Sequence, residues 1–128
     1  MKISAKVQEA LNNKKAVVAL ESTMIAHGLP RPDNFKIAQE IEQVVIDHGA
    51  TPATIAILNS EICVGLDENQ LTEIATDSNI LKLGIRDIAH CVTRKQSGAT
   101  TVASTAWIDR KSTRLNSSHT DISRMPSS

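Results

Sequence analysis

The sequence predicts an α/β fold, layered α/β/α around a mixed, mainly parallel sheet. Three observations carry that expectation. Two continuous apolar runs of strand length, residues 16–20 (AVVAL) and 54–58 (TIAIL), lack polar alternation, the pattern of strands covered on both faces. Between them Ile37, Ala38, Ile41, Val44 and Val45 recur every three or four residues, which is the period of an amphipathic helix. The resulting order of strand, helix, strand, helix, strand is that of α/β layers.

Taken in order, Ser4 is placed to cap a short helix carrying Val7, Ala10 and Leu11, which residues 12–15 close. Residues 16–20 form the first buried strand. Residues 21–33 contain Gly28, Pro30 and Pro32 and read as a loop. The helix over 34–48 follows, with Asp33 or Asn34 positioned to cap its first amides and Gly49 to end it in the left-handed conformation. After the strand at 54–58, Asn59-Ser60 permits a turn into a short strand at 62–64. Asp67 caps the next helix, Gln70 stands at capping-box spacing, and Leu71, Ile74 and Ala75 line the inner face. Residues 80–83 are a third central strand, 85–92 a short helix, 93–98 a polar loop, and 100–108 a helix start built from small residues. The chain shows no internal repeat.

The 128 residues suit one domain, and 14 Lys+Arg balance 14 Asp+Glu. That neutrality argues against a nucleic-acid partner or a membrane surface. One Phe, one Trp and no Tyr give almost no material for stacking single-stranded bases. No apolar stretch is long enough to span a bilayer, and no secretory leader is recognisable, so a cytoplasmic location is the expectation. Cys63 and Cys91 stand alone, without a CxxC pair or a His at ligand spacing, and read as buried free thiols.

Composition changes at Asp109. The last twenty residues hold six Ser, four basic and two acidic residues, with little aliphatic periodicity. Residues 109–128 therefore read as a disordered tail, and residues 1–108 as the folded part. The strings DRKSTRLNSSH and SRMPSS within the tail look like translated sequencing-library adapter, which would exclude them from fold reasoning. A natural basic tail would share the composition without accounting for those strings.

Glu21 directly follows the first buried strand, at the carboxyl end where ligand crevices form in open α/β sheets. A half-buried carboxyl there is suited to act as a general acid, although strands also end in plain solvated carboxylates. His27 either donates to a phosphate or faces water, and the second reading is the commoner. Lys82 interrupts an apolar strand, so its ammonium must reach a rim, a carboxylate or an anionic ligand. Arg86-Asp87 reads as an ion pair or a helix cap. Residues 98–105 (GATTVAST) place small residues and hydroxyls at a loop-to-helix junction that can present amides to a phosphate or a base edge, but they lack the spacing and lysine of a P-loop. No His or carboxylate cluster has metal-ligand spacing.

Six strings occur in order: Val18-Ala19-Leu20-Glu21-Ser22-Thr23; His27-Gly28 with Pro30 and Pro32; Pro52-Ala53-Thr54-Ile55-Ala56-Ile57; Val64-Gly65-Leu66; Arg86-Asp87; and Gly98-Ala99-Thr100-Thr101-Val102-Ala103. Together, from about Val7 to Thr105, they resemble the pseudouridine-5′-phosphate glycosidase family. The resemblance implies reversible cleavage of the C–C glycosidic bond of pseudouridine 5′-phosphate to uracil and ribose 5-phosphate. It further implies a lysine imine at C1′, a manganese ion and a cytoplasmic homo-oligomer, a homotrimer. Glu21 falls on the family's proton donor, Lys82 on a substrate-contacting lysine, and Val102 on a substrate-binding position. Gly84-Ile85 departs from the family, which commonly has a Ser and a basic residue there, so the local anion site is expected to differ.

The family's metal-binding aspartate and imine-forming lysine have no counterparts in this sequence. The resemblance therefore implies an amino-terminal part of the enzyme, with an incomplete sheet, no metal ligand, apolar strand faces left uncovered, and no activity of its own. The competing expectation is a non-catalytic nucleotide- or sugar-phosphate-binding α/β module that keeps Glu21 and Lys82.

Overall fold

A computed structural model describes the backbone of residues 1–115 and the side chains of residues 1–112. In chain order the elements are β1 (Lys2–Ile3), α1 (Ala5–Asn12), β2 (Val17–Leu20), a π-helical turn (Met24–Gly28), α2 (Asn34–Asp47), β3 (Thr51–Leu58), β4 (Glu61–Val64), α3 (Glu68–Thr76), β5 (Leu81–Leu83), α4 (Asp87–Thr93), β6 (Gly98–Thr100) and α5 (Val102–Leu115).

The strands form one six-stranded sheet in the order β1-β4-β3-β6-β5, with β2 also paired to β3. β1 with β4, β2 with β3 and β5 with β6 run parallel, while β3 runs antiparallel to β4 and to β6, so the sheet is mixed and mainly parallel. β3 is the hub because it is apolar on both faces: residues 53 to 58 are all buried. Ala53, Ile55 and Ile57 face a core closed by α1, α4 and α5 through Val7, Leu11, Ile88, Cys91 and Ile108. Ala56 and Leu58 face a second core closed by the π-helical turn, α2 and α3 through Ile25, Ala38, Leu71 and Ile74. The strict period of two in β3 thus creates the three layers.

Local signals explain the element ends. Ser4 Oγ accepts from the Val7 amide at the start of α1. The Asp67/Gln70 capping box opens α3 with both reciprocal bonds, 2.7 and 2.9 Å. Asn59 and Ser60 both have positive φ, 48° and 65°, the geometry of the tight hairpin turn joining β3 to β4. Gly65, at φ 88°, packs so closely on Ser4 and Val7 that a Cβ would collide with both side chains.

Several expectations are corrected. Asp33 makes no side-chain cap for α2. Asn34 is buried instead, and its Nδ2 donates to the carbonyls of Ile25 (2.9 Å) and Ala75 (2.7 Å), tying the π-helical turn to α3. The segment read as a loop after β2 contains that π-helical turn. Gly98–Thr100 is a strand rather than loop and helix start, because its three small residues fit wholly buried between β3 and β5. A Cβ on Gly98 would strike Leu83, so the glycine is what lets the strands meet there.

The expected disorder from Asp109 is overturned through Leu115, since α5 continues to that residue. Ile108 and Ser112 stay buried along it, the Ser112 hydroxyl donates to the Ile108 carbonyl, and the Lys111 ammonium lies 5.1 Å above the Trp107 ring. The rest of the proposed tail, residues 116–128, lies outside the described residues. The faces of β3 and β6 are covered, contrary to expectation, while Leu81 of β5 stays exposed and further open apolar surface lies on α2 and at Met24, Ile85 and Val102. Of the predicted apolar face of α2 only Ala38 is buried, while Ile41 and Val44 are 36% and 55% exposed. No helix among the described residues is long and apolar enough to cross a membrane.

Candidate functional site

The carboxyl ends of three strands converge. β2 runs parallel to β3 and ends where Leu20 pairs with Thr54. β6 runs antiparallel to β3, pairing Ile57 with Gly98 and Ala56 with Ala99. The two strands therefore approach each other head-on along β3, and β5, parallel to β6, brings Leu83 beside Thr100. This is an internal junction of the sheet, not the outer rim that a strand end in an open α/β sheet implies.

Four buried hydroxyls build the junction. Ser22 Oγ donates to the Ile55 carbonyl (2.6 Å) and accepts from the Thr100 amide (2.8 Å). The Thr100 hydroxyl donates to the same carbonyl (2.7 Å), which commits its proton, so the Thr105 hydroxyl 2.7 Å away donates to it. Ser104 Oγ accepts from the Thr101 amide and donates to the Leu83 carbonyl, each at 2.8 Å. All four side chains are fully buried, where an unpaired hydroxyl would cost about 1–3 kcal/mol. The hydroxyls of residues 98–105 are thus spent on joining strands, through Thr100 and Ser104, and on capping the start of α5, through Thr101. The Thr100 amide is engaged by Ser22, and the Thr101 and Ser104 amides by each other's hydroxyls.

Glu21 sits at this junction, half-buried, and lines a small apolar cavity of about 120 Å³ with Leu20, Met24, Ile25, Ala38, Ile41 and Thr54. Lys82 is exposed and pairs in register with Ala99, whose carbonyl also accepts from the Thr23 hydroxyl at 3.4 Å. Ala99 belongs to the core under α2 and α3, so Lys82 and Glu21 lie on the same side of the sheet. Val102, 57% exposed, opens α5 two residues past Thr100. The three residues singled out from sequence therefore stand on elements that meet at this junction, although the cavity beside Glu21 takes in neither Lys82 nor Val102.

Other candidates separate from it. His27 is exposed on the π-helical turn. Asp87 reaches back to the Gly84 amide (2.9 Å), so Arg86-Asp87 serves the start of α4 as a cap. Burial raises the thiols of Cys63 and Cys91 above the usual range, with Glu61 and Asp87 adding to the effect, which disfavours reactive thiolates. Among the described residues, no group of three or more His, Cys, Asp or Glu could hold a metal ion. The sequence reading missed Ser22 and Glu42. Burial lifts the Glu42 carboxyl above its usual range, while the Thr54 hydroxyl it accepts from and the charge of Lys6 pull the other way. Neither residue carries a sequence signal, since a Ser after a strand and a Glu inside a helix are ordinary.

The chain matches the family described as indigoidine synthase A like protein over residues 6–113. Pseudouridine-5′-phosphate glycosidase of Thermosipho africanus is 54% identical over 108 residues, covering 84% of this chain and 36% of that protein. The Arabidopsis thaliana protein of the same name is 51% identical over 108 residues, covering 84% of this chain and 33% of its own length. Among solved structures, the prealnumycin C-glycosynthase AlnA, in complex with ribulose 5-phosphate, superposes with a TM-score of 0.76 at 34% identity, covering 86% of this chain and 35% of that one. An indigoidine synthase A-like protein of Thermotoga maritima gives a TM-score of 0.75 at 28% identity, covering 87% and 36%. The chain spans about a third of the length of the curated relatives it matches. With 108 consecutive residues of sequence and the α/β/α architecture in agreement, the chain belongs to the indigoidine synthase A-like protein family.

Proposed function

We propose that this chain is the amino-terminal part of a pseudouridine-5′-phosphate glycosidase, which cleaves the bond between C1′ of the ribose and C5 of uracil. The observation that carries the reading is the junction of Glu21, Lys82 and Val102, within a stretch half identical to relatives of that name. When the C1′–C5 bond breaks, its electron pair stays on C5, which must take up a proton. Glu21 is the proton donor in this proposal. Lys82 supplies positive charge toward the phosphate ester from the same side of the sheet, and Val102 closes the approach at the start of α5. Water provides the hydroxyl of the sugar product.

Manganese, the homotrimer and the cytoplasmic location remain part of the proposal for the whole enzyme. The described residues do not fit a manganese site, so no step here runs through the metal. A non-catalytic nucleotide- or sugar-phosphate-binding α/β module that keeps Glu21 and Lys82 is the alternative.

The test begins with the genomic reading frame that follows Ile108. The protein it encodes, supplied with manganese and pseudouridine 5′-phosphate, is expected to release uracil, while residues 1–108 alone release none. Glu21→Gln keeps the shape without the proton and is expected to retain substrate binding while losing turnover by about 10²- to 10⁴-fold. Binding without uracil release by the parent would favour the module, and an unchanged rate in Glu21→Gln would remove Glu21 from the mechanism.

A further inference from the structure

Helix α2 carries more apolar surface than the described residues cover. Asn34 and Ala38 are buried, whereas Ile41 and Val44, three residues apart and so neighbours on the helix surface, stay exposed. Met24 on the π-helical turn is 43% exposed as well. Met24 and Ile41 both line the small apolar cavity beside Glu21, so these side chains and the cavity form one connected apolar surface. Single exposed apolar residues are ordinary, but a joined patch with a polar border marks an interaction site.

The border is acidic. Glu40 and Asp47 stand four residues before and three residues after Val44, spacings that put them beside it on the helix, and both are exposed. Lys36 is the one cation of α2. That charge argues against a second copy of the same face, because a two-fold contact would set acidic borders against each other. Length points to another occupant. The chain spans 36% of the Thermosipho africanus relative and 35% of the solved C-glycosynthase whose fold it shares, so most of such a protein lies outside the matched part. We propose that the patch of Met24, Ile41 and Val44 is the surface on which the carboxyl-terminal part of the whole protein docks, through an element with apolar side chains and a basic border. This rests on the reading of the chain as the amino-terminal part of a glycosidase. Docking there covers the cavity that Glu21 lines and keeps water from it.

The experiment is thiol labelling of Val44→Cys by a maleimide, in the 128-residue chain and in the whole protein encoded by the genomic reading frame, each over a range of concentrations. Cys63 and Cys91 are buried, and the parent proteins give their background. The variant is expected to label at the rate of an exposed thiol in the 128-residue chain and at least about tenfold more slowly in the whole protein at every concentration. Reversing the border with Glu40→Lys and Asp47→Lys is expected to speed labelling of the whole protein severalfold; an unchanged rate would overturn the basic border. Equal labelling of chain and whole protein would overturn the docking surface. Protection lost on dilution would assign the patch to a second copy, and protection already present in the dilute 128-residue chain would assign it to this chain's own residues; either result overturns the proposal. Uracil release is followed on the same whole protein: its absence would refute the proposed activity while leaving the labelling result intact.

Discussion

Replacing Asn34 with Leu should remove a polar lock holding the walls of the Glu21 cavity. Asn34 is 1% exposed and joins the π-helical turn to α3 through two donated bonds, while its Oδ1 accepts from the Phe35 amide at 3.0 Å. Leu has the same branched shape and a larger volume, so no cavity is left and any crowding adds to the loss. The loss comes from the Ile25 and Ala75 carbonyls, each left without this donor at about 1–3 kcal/mol. Phe35 is only half-buried and its amide can reach water. Burying an apolar group in place of the amide offsets about 1–2 kcal/mol. The net expectation is a loss centred on about 2.5 kcal/mol, a large part of the roughly 5–15 kcal/mol typical of a domain. Urea unfolding followed by circular dichroism measures it. Asn34→Asp should cost at least as much at neutral pH, since a carboxylate aims negative oxygens at two carbonyls. A loss below about 0.5 kcal/mol for Asn34→Leu would refute the view that these bonds hold the π-helical turn to α3.

Burial raises the Glu42 carboxyl above its unfolded value, so the folded chain binds this proton more tightly and its contribution to stability falls as pH rises through the folded pKa. Glu42→Gln should therefore melt higher than the parent at pH 7, with the gap closing below the ordinary Glu range; a gap that grows on acidification would contradict the assignment. Gly65→Ala should destabilise more than Gly49→Ala: both have φ near 87–88°, but only at Gly65 would the new Cβ meet Ser4 and Val7. Equal losses in urea would show that backbone strain alone decides both sites.

The local chemistry of this protein was largely legible in its residues. The AVVAL and TIAIL runs specify strands buried on both faces, because nothing polar interrupts them. Ser4, Asp67 and Gln70 mark helix starts through bonds that span three residues. Glu21 and Lys82 stand out by position alone, one ending a strand and one interrupting another. Residues 98–100 hide their strand because Gly and Ala disfavour strands and the run is only three residues long; the narrow gap between β3 and β5, where Leu83 excludes a Cβ at position 98, makes those residues right. The role of Asn34 was hidden for a related reason, since its partners are 9 and 41 residues away and no local pattern points to them. The same holds for the meeting of β2 and β6, which joins Ser22 to Thr100 across 78 residues. Sequence periodicity assigns each side chain to a face of its own element, but the junction where Glu21 sits is held by the Ser22 and Thr100 hydroxyls on the Ile55 carbonyl, and only the assembled sheet brings those bonds into existence.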